Sequence, residues 1–177
     1  FVYRAVGRMN RLNVRHLPVL DAQGRPLGML TARILLALRS RQALALGDEI
    51  DVAADAAALK AAHDGLPALA RSLLAEDIPA TTITAVIAAA TRDLTARAAD
   101  LALAAMASDG KGPPPCRWCL AVLGSAGRGE TLLAPDQDNA LILDPAADAD
   151  AAAIDTWFVE FAVRLNATLD AAGVPFC

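Results

Sequence analysis

The sequence predicts a mixed α/β chain, and three observations support that class. Two short apolar runs flank a turn near the start. A long alanine- and leucine-rich zone with helical spacing fills the middle. After a proline-rich break come two further apolar strands and an amphipathic helix.

Residues 1–46 hold the first pattern. Val2, Val6, Met9 and Leu12 stand near helical spacing and predict a helix over 3–13. His16-Leu17-Pro18-Val19-Leu20 and Pro26-Leu27-Gly28-Met29-Leu30 flank the turn Asp21-Ala22-Gln23-Gly24, which reads as a hairpin. Thr31 suits the N-cap of a helix from 32 to about 46, ended by Gly47.

Residues 48–107 are helical in pattern, with breaks expected at Asp64-Gly65-Leu66-Pro67 and Asp77-Ile78-Pro79. Pro79 fits the first turn of the longest helix, over about 80–107. Ile83, Val86, Ile87, Leu94, Ala98, Leu101 and Ala105 would line its buried face. Residues 108–115 (SDGKGPPP) form a linker. Strands follow over 118–123 and 140–143. A helix over 148–172 then buries Ile154, Trp157, Phe158, Phe161, Leu165 and Leu169, and Gly173 ends it.

Composition excludes several classes. A net charge of -4 with dispersed Lys and Arg argues against nucleic-acid binding. No apolar run reaches the ~20 residues of a membrane span. Three cysteines make no disulfide framework, and with no secretory signal the expected location is the cytoplasm. Cys116 and Cys119 read as an incidental pair entering a strand. His16 reads as a structural strand residue and His63 as part of a helix C-terminus.

The chemistry concentrates in GSAGRGETLLAPDQDNALIL, residues 124–143. Gly124 lets the backbone turn sharply after a strand and leaves room for a phosphate. Ser125 and the amides after it offer donors to phosphate oxygens, aided by a short helix near Arg128. Asp136 and Asp138 alternate, so at a strand start both carboxylates share a face. Two hard oxygen ligands at that spacing suit Mg²⁺ or Mn²⁺ bridging a triphosphate. Arg128 and Glu130 read equally as phosphate- and turn-orienting groups or as a mutual surface ion pair.

Gly124-Ser125, the eleven-residue step to Asp136 and the Asp136-Gln137-Asp138 string resemble the signature of the polymerase-beta-type nucleotidyltransferases. The fuller string is similar to a branch related to the protein-PII uridylyltransferase, found in bacterial signalling proteins beside CBS domains. The resemblance spans 48–177. It implies Mg²⁺-dependent transfer of a nucleoside monophosphate from a triphosphate to an acceptor. Asp136 and Asp138 would be the catalytic, metal-holding pair, and Gly124, Ser125, Arg128 and Glu130 the nucleotide contacts. A signalling-protein acceptor is implied in the same way.

Residues 8–36 separately resemble the second half of a CBS repeat, which implies an adenine nucleotide as a partner. Ile34 stands where that pattern carries an acidic residue, and the strand expected before the first helix is missing. A structural remnant is therefore the preferred reading, with an unpaired strand edge suited to a homodimer.

The organisation expected is thus a CBS-like half over 1–46, a helical region over 48–107, a linker over 108–115, and the N-terminal part of a nucleotidyltransferase domain over 116–177. The family usually supplies a third carboxylate from a later strand. Asp144 lies too far along its own strand for that role, so the chain is expected to be inactive alone and active within a longer parent. Two alternatives stand beside this: a regulatory protein that binds nucleotide without turnover, and a transferase acting on a small molecule.

Overall fold

The computed structural model describes residues 9, 12, 14–31 and 41–177. Backbone contacts divide the chain into two compact units, Phe1–Ala45 and Leu46–Cys177. The expected helix over 3–13, apart from residues 9 and 12, and the helix start after Thr31 lie outside the described residues.

In the first unit, β1 (His16–Leu20) pairs antiparallel with β2 (Pro26–Thr31), from His16 opposite Thr31 to Leu20 opposite Pro26. The hairpin has the predicted place because the turn chemistry is strong. One carboxylate oxygen of Asp21 accepts the amides of Gln23 and Arg25 at 2.9 and 2.8 Å, and Gly24 takes φ +78°. His16 is exposed at the strand start.

The other helices and strands among the described residues are α1 (Arg41–Asp51), α2 (Ala56–Ala75), α3 (Ala80–Ser108), β3 (Arg117–Val122), α4 (Gly124–Arg128), β4 (Asn139–Asp144) and α5 (Ala151–Ala171). Within the second unit, α3 packs against both α2 and α5, and α2 also touches α5. The core comes from Leu59, Leu66 and Leu73 of α2, Ile87, Leu94 and Met106 of α3, and Phe161, Leu165 and Leu169 of α5.

Two expected helix stops do not occur. Gly47 lies inside α1, which continues to Asp51. A mid-helix glycine costs only about 0.5–1 kcal/mol against alanine, and Leu46 and Ile50 beside it are buried. Likewise α2 runs straight through Asp64-Gly65-Leu66-Pro67, so His63 sits in mid-helix and not at a C-terminus. Pro67 removes the N–H that the His63 carbonyl would accept, a cost of about 3 kcal/mol. Burial of Leu59, Leu66, Leu69 and Leu73 on one face, at roughly 1.5–3 kcal/mol each, outweighs it. Gly65 faces Leu46 of α1, and a Cβ there would make an ordinary contact with its Cδ1 at 3.5 Å.

Helix α3 follows prediction at both ends, but its buried face shifts along its length. Ile83, Ile87, Leu94 and Ala98 are buried, Val86 and Leu101 are half-buried, and Ala105 is exposed. Ala102 and Met106 take the inner positions, four-residue steps on from Ala98. Thr91 and Thr95 are buried too, their hydroxyls donating to the carbonyls of Ile87 and Thr91.

The 108–115 segment is tied down at its start. Asp109 accepts from Arg164 at 2.7 Å, Lys111 pairs with Glu160 at 2.9 Å, and the Lys111 carbonyl accepts the Trp157 indole N–H at 3.1 Å. From there β3 pairs antiparallel with β4, Arg117 opposite Asp144 and Val122 opposite Asn139. Asp150 caps α5 by accepting the amides of Ala152 and Ala153, and Gly173 takes φ +96° just beyond its end. Five of the six expected α5 core residues are buried, and Trp157 is half-buried. Cys116, Cys119 and Cys177 are free thiols. Among the described residues no helix is long and apolar enough to cross a membrane.

Candidate nucleotide site

Strand β3 ends at Val122, and the chain turns at once into α4. Leu123, one residue past the strand, donates its amide to the Asp138 carbonyl at 2.7 Å. That bond sets Asp138 directly beside the turn, one residue before β4 begins. Gly124 adopts φ +52°, and a Cβ added to it would stand 1.8 Å from Asp138 Oδ2 and 2.9 Å from Cγ. The Asp138 carboxylate therefore occupies the space that any other residue at 124 would fill. The left-handed backbone favours glycine here, and any Cβ would displace the Asp138 carboxylate.

Asp136 and Asp138 are both exposed, and Gln137 between them is buried. This out-in-out alternation places the two carboxylates on the solvent side of the segment. Among the described residues neither carboxylate has a hydrogen-bond or ion-pair partner within the protein, and no hydrogen bond joins Asp136 to the turn. Two unpartnered carboxylates are a hard-oxygen donor set, which fits Mg²⁺ or Mn²⁺. No cluster of three or more His, Cys, Asp or Glu side chains suited to a metal occurs among the described residues.

The turn itself is braced from several directions. Ser125 is exposed, and its hydroxyl donates to the buried Thr131 hydroxyl at 3.2 Å. The Glu130 amide donates to the Ser125 carbonyl at 2.8 Å. Helix α4 has Gly124 and Ser125 at its N-terminal, electropositive end and Arg128 at its C-terminal end. Arg128 is thus not at the end that favours phosphate. Its guanidinium pairs with Glu130 at 3.0 Å, and both side chains are largely exposed.

Three supports escaped the sequence reading. A Cβ at Gly127 would stand 2.3 Å from the Val122 carbonyl oxygen, so α4 rests backbone-to-backbone on the end of β3. Arg92, from the middle of α3, donates to the Ala126 carbonyl at 2.6 Å and holds α4 from behind. The same arginine lines an open cleft of about 480 Å³ between α3 and β3 that Gly127 borders. Gln137 donates its side-chain amide to the carbonyls of Asn166 and Val174 at 2.9 and 2.8 Å. No local pattern could have revealed Arg92 or Gln137, because their partners lie 34, 29 and 37 residues away.

A family model described as "Putative nucleotidyltransferase DUF294" matches residues 64–177. No curated protein and no solved structure matches the chain. The matched stretch opens in mid-α2 and takes in Arg92, the Gly124 turn, the aspartate pair and α5. The parts that build and brace this site all lie within the match, and the chain belongs to the DUF294 nucleotidyltransferase family.

Proposed function

We propose that the second unit binds a nucleoside triphosphate across the Gly124–Ser125 turn and the Asp136–Asp138 segment, and passes its nucleoside monophosphate to an acceptor. One observation carries the reading: the Asp138 carboxylate lies against the bare Cα of Gly124, at the turn where β3 gives way to α4. Family membership supports the reaction class.

In the reaction an acceptor oxygen attacks the α-phosphorus. The bond from that phosphorus to the bridging oxygen breaks, and pyrophosphate leaves. Asp136 and Asp138 would hold Mg²⁺ or Mn²⁺, which supplies charge neutralisation on the triphosphate. The turn supplies the rest. Ser125 can rotate its hydroxyl from Thr131 to a phosphate oxygen. Gly124 leaves room for the Asp138 carboxylate beside the turn, and Arg92 and Gly127 keep α4 from yielding as the anion arrives.

The acceptor we favour is a signalling protein of the PII kind, on the strength of the sequence resemblance. The CBS-like piece is read as structural; adenylate binding there would survive loss of Asp138. A second reading, nucleotide binding without turnover, is favoured by the lack of a third carboxylate near the pair among the described residues.

The test combines calorimetry with label transfer. Triphosphate binding should be much tighter with Mg²⁺ than with EDTA, and Asp138→Asn should remove most of that difference, since the amide keeps the shape and loses the charge. Equal binding with and without metal would rule out a metal-assisted site. Incubation with each α-labelled triphosphate, Mg²⁺ and candidate acceptor proteins then separates the two readings, because only transfer leaves label on the acceptor.

A further inference from the structure

Gln137 sits between the two exposed aspartates yet is only 8% exposed. Its side-chain amide donates to the Asn166 carbonyl near the end of α5, at 2.9 Å, and to the Val174 carbonyl just past that helix, at 2.8 Å. Its backbone amide donates to the Pro175 carbonyl at 3.0 Å, and its own carbonyl accepts from the Cys177 thiol at 3.1 Å. Four hydrogen bonds therefore fix one residue to the end of α5 and the segment 174–177. The neighbouring aspartate side chains have no comparable anchor. Among the described residues their hold comes through the main chain: Gln137 between them, the Leu123 amide bond to the Asp138 carbonyl, and β4 starting at Asn139.

The helix that receives the clamp is itself firmly seated. Leu165 and Leu169, on either side of Asn166, are each 1% exposed, and Val174 is 2% exposed. A segment of three residues without a hold on its middle position would have to lose backbone freedom when a ligand arrives. Holding the middle residue removes that cost before binding.

We infer that Gln137 is a positioning residue: its buried amide pre-sets the spacing of the Asp136 and Asp138 carboxylates by clamping their shared backbone to the C-terminal end of α5. The inference rests on the nucleotide-site reading above. Gln137 touches neither metal nor nucleotide; it acts through the residues on either side. The chemistry fits glutamine in particular. Two carbonyl acceptors call for a double donor, which the amide is and a carboxylate is not. Replacing it with glutamate would set a charge against two carbonyls.

The test compares magnesium-dependent triphosphate affinity, with and without EDTA, in four proteins: wild type, Gln137→Met, Asp138→Asn and Leu94→Ala. Leu94 is a core residue of α3, 1% exposed, and takes no part in the clamp's hydrogen bonds. Metal-site support of this kind is worth about ten- to a hundredfold in metal affinity. Gln137→Met should reduce the magnesium enhancement by that factor and leave metal-free binding unchanged, while Leu94→Ala lowers Tm and keeps the enhancement. A wild-type enhancement in Gln137→Met, or an equal loss in Leu94→Ala, overturns the inference. If Asp138→Asn also keeps the full enhancement, the site reading itself fails; if Asp138→Asn loses it and Gln137→Met does not, only the clamp falls. Hydrogen exchange on the wild-type protein gives a readout that needs no variant. The Gln137 amide should be protected to the level of the α5 core without any ligand, and exchange as fast as an exposed loop amide would refute the clamp even if Gln137→Met fails to fold.

Discussion

Adding a methyl group at Gly124 separates the two reasons for a glycine there. Gly124→Ala places an L-residue at φ +52° and brings its Cβ within 1.8 Å of Asp138 Oδ2. Gly129, five residues on, is left-handed too, at φ +79°, but a Cβ there meets nothing within 4 Å. Both alanines carry the left-handed penalty of about 1–2 kcal/mol. In a domain of this size that lowers Tm by about 2–8 °C. The steric conflict is confined to Gly124, and the atom in the way is the tip of a side chain that can swing aside. The added stability cost should be small, whereas the carboxylate is driven off its position. Calorimetry and thermal melts on both variants should give similar Tm losses. Magnesium-dependent triphosphate affinity should fall in Gly124→Ala toward the level of Asp138→Asn and stay near wild type in Gly129→Ala. Wild-type affinity in Gly124→Ala, or equal losses in the two variants, would refute the reasoning that Asp138 works from its place over Gly124.

Two further outcomes follow from the supports around the site. Arg92→Ala removes a charged donor from the Ala126 carbonyl, and chemical denaturation should record a loss of about 1.5–3 kcal/mol together with weaker triphosphate binding. Glu160 has its carboxyl held below the usual glutamate range by its bonds to Lys111 and then Arg164. A depressed carboxyl contributes stability that is present above its unfolded pKa and lost as pH falls through the folded value. Melting temperature should therefore drop on acidification through and below the ordinary glutamate range, and Glu160→Gln should flatten that part of the profile.

The features legible in the sequence are those whose signals are local. The hairpin at 16–31 was readable because Asp21 and Gly24 carry their own turn chemistry. Helix α3 was readable because Pro79 and the Asp109–Gly110 stop bracket it. The Gly124 turn and the aspartate pair were readable because residue type and spacing are the signal. Helices α1 and α2 pass through Gly47 and Pro67 because burial from other elements outweighs a local penalty, and one chain segment cannot display that balance. For Arg128 and Glu130 residue type left two readings level, phosphate contact or mutual ion pair, and the pair forms at the C-terminal end of α4. Arg92 and Gln137 were invisible for the opposite reason, since each is an ordinary residue until a distant carbonyl gives it a task.

The aromatic cluster between β3 and α5 makes the molecule self-reporting. The chain has two tryptophans, and both are in this cluster. Trp118 lies edge-on to Phe161 with centroids 5.1 Å apart, and Trp157 stacks on the same ring at 5.7 Å. Intrinsic emission is therefore a dedicated optical gauge of how α5 seats against the strand that leads into the Gly124 turn. Trp157 also holds the Lys111 carbonyl, so detachment of the 108–115 segment would register in the same signal. Events confined to the first unit have no tryptophan to carry them. A fluorescence melt and a far-ultraviolet dichroism melt that diverge would thus resolve the two units without labels or truncation.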